Sequence, residues 1–191
     1  MPKVLDKSYE ELVQKAQQLF WNKGYKGVTA QELADYLNVS SSTIYNKYSK
    51  EMFFIDSLEY YNNTCSDPFL KQLRETTNGK ESLRDFFYSL IDALMTRTFP
   101  RSCLMVNTVV ELRNENSTVN KMYERYFGNL INSYKIVVEK AISVGEIKHP
   151  ERKNEYAKFL LGMIFEMSIL YKLHDKETLC QFVDEQLSLI E

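Results

Sequence analysis

Apolar side chains recur every three or four residues along almost the whole chain, which is the repeat of one face of an α-helix and not the alternation of a strand. From about Asp6 to Lys23 the stripe is Leu12, Ala16, Leu19 and Phe20, and Ala30, Leu33, Ala34 and Leu37 make a second, two-turn stripe. Phe53, Phe54, Leu58 and Tyr61 mark a helix from about Lys50, and Leu83, Phe86, Phe87, Leu90 and Leu94 mark another over about 80–97. The same spacing predicts helices over about 102–113, 118–144, 151–173 and 176–190. Only six Gly and four Pro punctuate 191 residues, and the Asn78-Gly79 pair lies between helical segments rather than between alternating strands. The chain is predicted to be all-α.

The breaks between stripes carry as much information as the stripes. Gly24 stands where a left-handed residue ends the first helix, and Tyr25 offers the apolar contact that accompanies such an end. Thr29 and Glu32 have the spacing of a capping box, in which the hydroxyl accepts from the Glu32 N–H and the carboxylate returns to the Thr29 N–H. Asn38 sits at a sharp turn, and Asn enters the left-handed region more readily than most residues. Ser40 then caps a third helix, while Val39 and Ile44 return to the inner face, so helices two and three pack as a helix-turn-helix. Ser49 caps the helix from Lys50, and the Asp67-Pro68 step is expected to break or bend the path beyond it.

Charge has to be read by segment. The chain holds 24 Lys and Arg against 26 Asp and Glu, a net −2 that argues against wholesale coating of a polyanion. Residues 1–50 nevertheless contain seven Lys and five acidic residues, net +2, which leaves residues 51–191 at net −4. Cys65, Cys103 and Cys180 are odd in number, widely spaced and free of any CxxC pair, as expected of a chain in the reducing cytoplasm without a disulfide scaffold or zinc knuckle. No signal-peptide pattern opens the chain, and no apolar run is long enough to span a bilayer. Enzymatic signatures are missing as well: His149 and His174 are isolated, and no HExxH, Gly-rich phosphate loop or GxSxG occurs. A thiol enzyme built on Cys103 has no base near it in sequence. The chain is expected to be neither an enzyme nor a metal or cofactor protein.

Residues 20–51, FWNKGYKGVTAQELADYLNVSSSTIYNKYSKE, resemble the DNA-binding domain of TetR-type transcriptional regulators. The resemblance rests on Phe20, Gly24, Thr29, the Ala34 to Ser40 turn, Thr43-Ile44-Tyr45 and the closing Tyr48-Ser49-Lys50-Glu51. Asn38 and Ser42 stand where Gly is more frequent in that family. The resemblance implies a DNA-binding domain over residues 1–50 and a helical ligand-binding and dimerisation domain over 51–191. A third helix from Ser40 would present Ser41, Ser42 and Thr43 to a major groove, with Tyr45, Asn46 and Lys47 along the exposed side. Thr29, Tyr48 and Lys50 flank it as expected phosphate anchors, with Ser40 as the cap. The implied partners are a double-stranded palindromic operator, a second copy of the chain and a small-molecule effector, and the implied role is most simply that of a repressor released by its ligand. The helix from about Lys50 is the expected connector.

CLMVNTVVEL at 103–112 also looks like a segment of some ligand-binding domains of this family, and the apolar segments over 156–173 and 179–190 suit a dimer interface. The many Tyr, Phe and Met residues after position 50 suit an apolar pocket. Its candidate members are Tyr60, Phe87, Met95, Cys103, Asn107, Tyr123, Phe127, Tyr134, Met163 and Met167. Cys103 has a second reading, because a helix start and the neighbouring Arg101 would favour a reactive thiolate and hence a redox or electrophile sensor. A helical protein–protein adaptor would account for the apolar stripes but not for the pattern from Thr29 to Glu51.

Overall fold

The computed structural model describes residues 7–76, 78–96, 102–113 and 115–191, and among these every regular element is helical. Helix α1 (Lys7–Lys23) buries Val13, Ala16, Leu19 and Phe20, and stops as its stripe implies, with Gly24 at φ 75° donating to the Phe20 carbonyl across 2.8 Å. Helix α2 (Ala30–Leu37) comes after Thr29, whose hydroxyl accepts from the Glu32 N–H at 3.1 Å. The reciprocal half of the expected capping box is replaced by a tertiary contact, because the Glu32 carboxylate pairs with the Lys23 ammonium. That partner also pulls the Glu32 carboxyl below its usual range. Asn38 closes α2 in the left-handed conformation at φ 55°.

The segment beyond Asn38 is shorter and more widely wound than the third helix expected from Ser40. Ser41 and Ser42 begin a helical turn, and Thr43–Lys47 continues it as one π-type turn closed by the Tyr48 N–H to the Thr43 carbonyl at 3.0 Å. Helix α3 (Lys50–Tyr61), capped by Ser49, packs along α1. Its first turns belong to an aromatic core in which Tyr9 stacks on Tyr48 at 4.8 Å, Phe20 meets Phe54 at 5.1 Å and Tyr25 meets Phe54 at 4.8 Å. Ile44, 1% exposed, anchors the π-type turn in this N-terminal head.

The Asp67-Pro68 step does not break the chain. Asn62–Ser66 forms another π-type turn, and Pro68 enters the first turn of α4 (Asp67–Glu75), where its missing N–H costs no helical bond. The body is then built from α5 (Gly79–Met95), α6 (Leu104–Leu112), α7 (Ser117–Ser143), α8 (Lys153–Leu170) and α9 (Lys176–Ser188). The 27-residue α7 runs through its middle and packs on α4, α5, α6 and α8, while α9 lies against α5. Leu179, Val183, Leu187 and Ile190 all face inward, so the last apolar stripe is largely core. No helix among the described residues is long and apolar enough to cross a membrane.

Candidate nucleic-acid interface and internal cavity

The N-terminal head presents a compact polar surface around the π-type turn. Ser40 works as the expected cap: its hydroxyl accepts from the Thr43 N–H at 3.2 Å and lies 2.8 Å from the hydroxyls of Ser42 and Thr43. Ser41 donates to the Gln31 side-chain oxygen at 2.7 Å, and Gln31 in turn donates to Asp35 at 2.8 Å, so α2 is fastened to the start of the turn. Tyr45 is 67% exposed, and Asn46 and Lys47 are exposed beside it. This leaves an aromatic hydroxyl, an amide and an ammonium free to meet a polar polymer, while Ile44 holds the backbone beneath them.

The flanking residues divide. Thr29 is exposed but occupied as the α2 cap. Tyr48 is half-buried between Tyr9 and Phe53, with the Lys47 ammonium 5.0 Å from its ring centroid. Lys50 turns inward: its ammonium donates to the carbonyls of Tyr25 at 3.0 Å and Val28 at 2.8 Å and sits 4.0 Å over the Tyr25 ring. Partial burial lowers its pKa, with nearby Glu111 opposing the shift. Lys50 therefore braces the loop between α1 and α2.

Sequence reasoning missed Glu111, which joins head to body. Its carboxylate, on α6, accepts from the Tyr25 N–H at 2.9 Å and the Lys26 N–H at 2.6 Å, and Lys26 also pairs with Glu115 at 2.6 Å. These are the N–H groups left over where α1 ends. The only sequence signal was an acidic residue at the close of an otherwise apolar stretch, CLMVNTVVEL.

Between α1, the end of α3, α4, α5, the segment leading into α6, α7 and α8 lies a partly open cavity of about 230 Å³. Trp21, Tyr61, Cys65, Ser66, Phe69, Phe86, Leu94, Cys103, Tyr126, Leu130 and Ile164 are among its walls, and no lining residue among those described is charged. The Cys103 sulfur lies 3.6 Å from the Tyr61 hydroxyl and 3.3 Å from that of Tyr126. Burial first, and the neighbouring Cys103 second, hold both phenols above their ordinary range. Cys103 is 8% exposed; Arg101, the cation expected beside it, lies outside the described residues.

Of the ten pocket candidates only Cys103 lines this cavity. Tyr60, Phe87, Met95, Phe127 and Met163 each sit one residue from a true wall member: Tyr61, Phe86, Leu94, Tyr126 and Ile164. One step along a helix turns a side chain by about 100°, enough to move it off the wall. Phe87 and Tyr134 stack behind Phe86 in the core, and Met163 and Met167 are buried elsewhere in α8. Met95 is exposed at the end of α5, and Tyr123 and Phe127 lie at the side of α7, where Phe127 meets Phe165 at 5.1 Å. Asn107 lines a second, more polar cleft of about 400 Å³ between α1, α6 and α8. The most informative omission is Trp21, whose place beside Leu19 and Phe20 widens the α1 stripe beyond one face, a sign of a second buried contact.

A polar surface on a helix-turn-helix head, fastened to a helical body with a mainly apolar, partly open cavity, fits the architecture of a DNA-binding regulator. Residues 12–53 match the family described as bacterial regulatory proteins, tetR family, and residues 79–187 match the tetracyclin repressor-like C-terminal domain. The chain belongs to the TetR family and is a DNA-binding transcriptional regulator. It is 21% identical over 183 residues to the uncharacterized HTH-type transcriptional regulator YezE of Bacillus subtilis, covering 94% of each chain. It is 25% identical over 187 residues to the HTH-type transcriptional repressor DhaR of Mycobacterium sp., covering 91% of this chain and 87% of that one. In structure it superposes on a cysteine mutant of the TetR-family regulator CifR bound to 26-base-pair operator DNA, with a TM-score of 0.84 at 20% identity and full coverage of both.

Proposed function

We propose that this protein is a repressor that binds a palindromic operator as a homodimer and is released by a small molecule held in its helical body. Residues 1–50 form the reading head and 51–191 the effector and dimer body, joined through α3. The observation that carries the reading is the π-type turn, in which Tyr45, Asn46 and Lys47 are all exposed above the buried Ile44. With Ser41, Ser42 and Thr43 they supply the base and phosphate contacts. Ser40 and Thr29 shape the turns that aim them, and Tyr48 and Lys50 hold the head together from behind.

Phe159, Phe165 and Phe182 are only half-buried and Ile169 is 61% exposed, an apolar remainder on α8 and α9 that a second copy would cover. Dimerisation through these helices would set the two heads roughly 34–36 Å apart, one turn of DNA. Ligand binding lowers operator affinity by the difference in its own affinity for the DNA-competent and released arrangements. This work is regulatory rather than enzymatic and belongs in the cytoplasm.

The test is to incubate the purified protein with a random DNA pool and sequence what it retains. An enriched two-fold-symmetric motif is expected. A pool left without any enriched sequence overturns the reading.

A further inference from the structure

The cavity behind Trp21 has a chemistry narrow enough to specify its occupant. Its volume is about 230 Å³. An apolar cavity of about 150 Å³ holds benzene, so this one has room for a molecule of about ten non-hydrogen atoms. No described wall residue carries a charge, so an ionised ligand would find no counter-ion among them. The wall is aromatic and aliphatic apart from Cys65, Ser66, Ser102 and the cluster in which the hydroxyls of Tyr61 and Tyr126 flank the Cys103 sulfur. Sulfur is a weak acceptor, so the Tyr61 hydroxyl, which donates to it, gains by exchanging it for a ligand oxygen, with Tyr126 beside it.

We propose that this cavity is the effector site and that it takes a small, uncharged, mainly apolar molecule bearing one oxygen, its hydrocarbon part against Trp21 and Phe86 and its oxygen at Tyr61 and Tyr126. The assignment rests on the effector half of the repressor reading and deepens it. Trp21 belongs to α1 of the reading head, and its indole N–H donates to the Ser102 carbonyl at the start of α6. The occupant thus touches the head directly, and also borders the helix whose far end holds Tyr25 and Lys26 through Glu111.

Trp21 is the single tryptophan of the chain, so its fluorescence reports occupancy without a label. The probes are 2-phenylethanol and its size-matched cation 2-phenylethylammonium, with benzoate as the anion. A saturable change in Trp21 emission is expected with 2-phenylethanol and at least about tenfold weaker binding of both ions. Ala93→Phe, which projects a ring into the cavity from α5, should abolish the response while circular dichroism shows an intact helical fold; Cys65→Trp obstructs it from the turn before α4 if the first variant fails to fold. No saturable response to the alcohol, equal binding of an ion, or undiminished binding in a folded filled variant would each overturn the site. These titrations contain no DNA, so their failure leaves the DNA reading standing, and a failed DNA selection leaves them standing. Added to the protein bound to its selected DNA, 2-phenylethanol should lower DNA affinity at least fivefold. Unchanged affinity at saturating occupancy overturns the effector assignment.

Discussion

The indole N–H of Trp21 donates to the backbone carbonyl of Ser102 across 2.9 Å, in a buried bond that spans 81 residues of chain and ties the reading head to the start of α6. Trp21→Phe keeps the aromatic wall but strands that carbonyl. The cost should be about 1–2 kcal/mol, seen as a melting temperature lower by about 2–8 °C. A variant that melts with the parent would show that the bond is dispensable.

Gly24 and Gly145 are both left-handed, at φ 75° and 80°, but their surroundings differ. A Cβ on Gly24 would lie 2.6 Å from the Glu111 carboxylate, whereas one on Gly145 meets nothing within 4 Å. Gly145→Ala should therefore cost only the backbone penalty of about 1–2 kcal/mol. Gly24→Ala should cost clearly more, because it also dislodges the carboxylate that caps Tyr25 and Lys26. Denaturant unfolding of the two variants side by side decides the order.

Lys47, the last residue of the π-type turn, and Lys50, just beyond it, should behave differently. Lys47 is exposed, so Lys47→Ala should weaken DNA binding at all sequences and make the salt slope shallower by about 1 per contact, with thermal stability unchanged. Lys50→Ala removes the donor to the Tyr25 and Val28 carbonyls and should lower thermal stability while changing the salt slope less. A DNA titration over salt, paired with a melt of each variant, separates the roles; the opposite pattern would make Lys50 the phosphate anchor.

The Tyr134 hydroxyl is fully buried and has no hydrogen-bond partner among the described residues. Removing an unsatisfied buried hydroxyl relieves its desolvation, so Tyr134→Phe should leave the melting temperature equal or higher. A large loss of stability would reveal a partner for this hydroxyl.

Tyr61, Tyr126 and Tyr134 are held above the ordinary phenol range of about 10, chiefly by burial. A group whose folded pKa is raised contributes stability that is complete below the unfolded value and lost as pH rises above it. Stability should therefore fall above about pH 10, and these phenols should ionise only as the fold is lost. Phenolate absorbance tracked together with circular dichroism is the check: complete ionisation in a still-folded protein would contradict the burial of these rings.

Much of the head was legible before any fold was known. Gly24, Thr29, Asn38, Ser40 and Ser49 all perform the local tasks their types suggest, because a cap or a left-handed turn is settled by hydrogen bonds within about five residues. The capping box failed at the one atom that had a distant alternative, the Glu32 carboxylate, which chose Lys23. Lys50 has internal partners for a related reason. A lysine beside a reading helix suggests a phosphate, but the loop after α1 brought two carbonyls within its reach.

The body was legible as helices and far less as a site. Periodicity marks which residues lie inward within about a quarter turn, and that suffices for a core. A cavity wall needs the rotation of every helix about its axis to within one residue, and packing alone sets that rotation. Hence Tyr60, Phe87, Met95, Phe127 and Met163 lie beside the cavity wall while their neighbours form it. The sequence by itself determined the all-helical class, the turns of the head and the family, because these rest on local spacing. Only the tertiary structure decided that Trp21, Tyr61, Cys103 and Tyr126 share one cavity and that Glu111 grips the head, because contacts between distant residues depend on how whole helices close-pack.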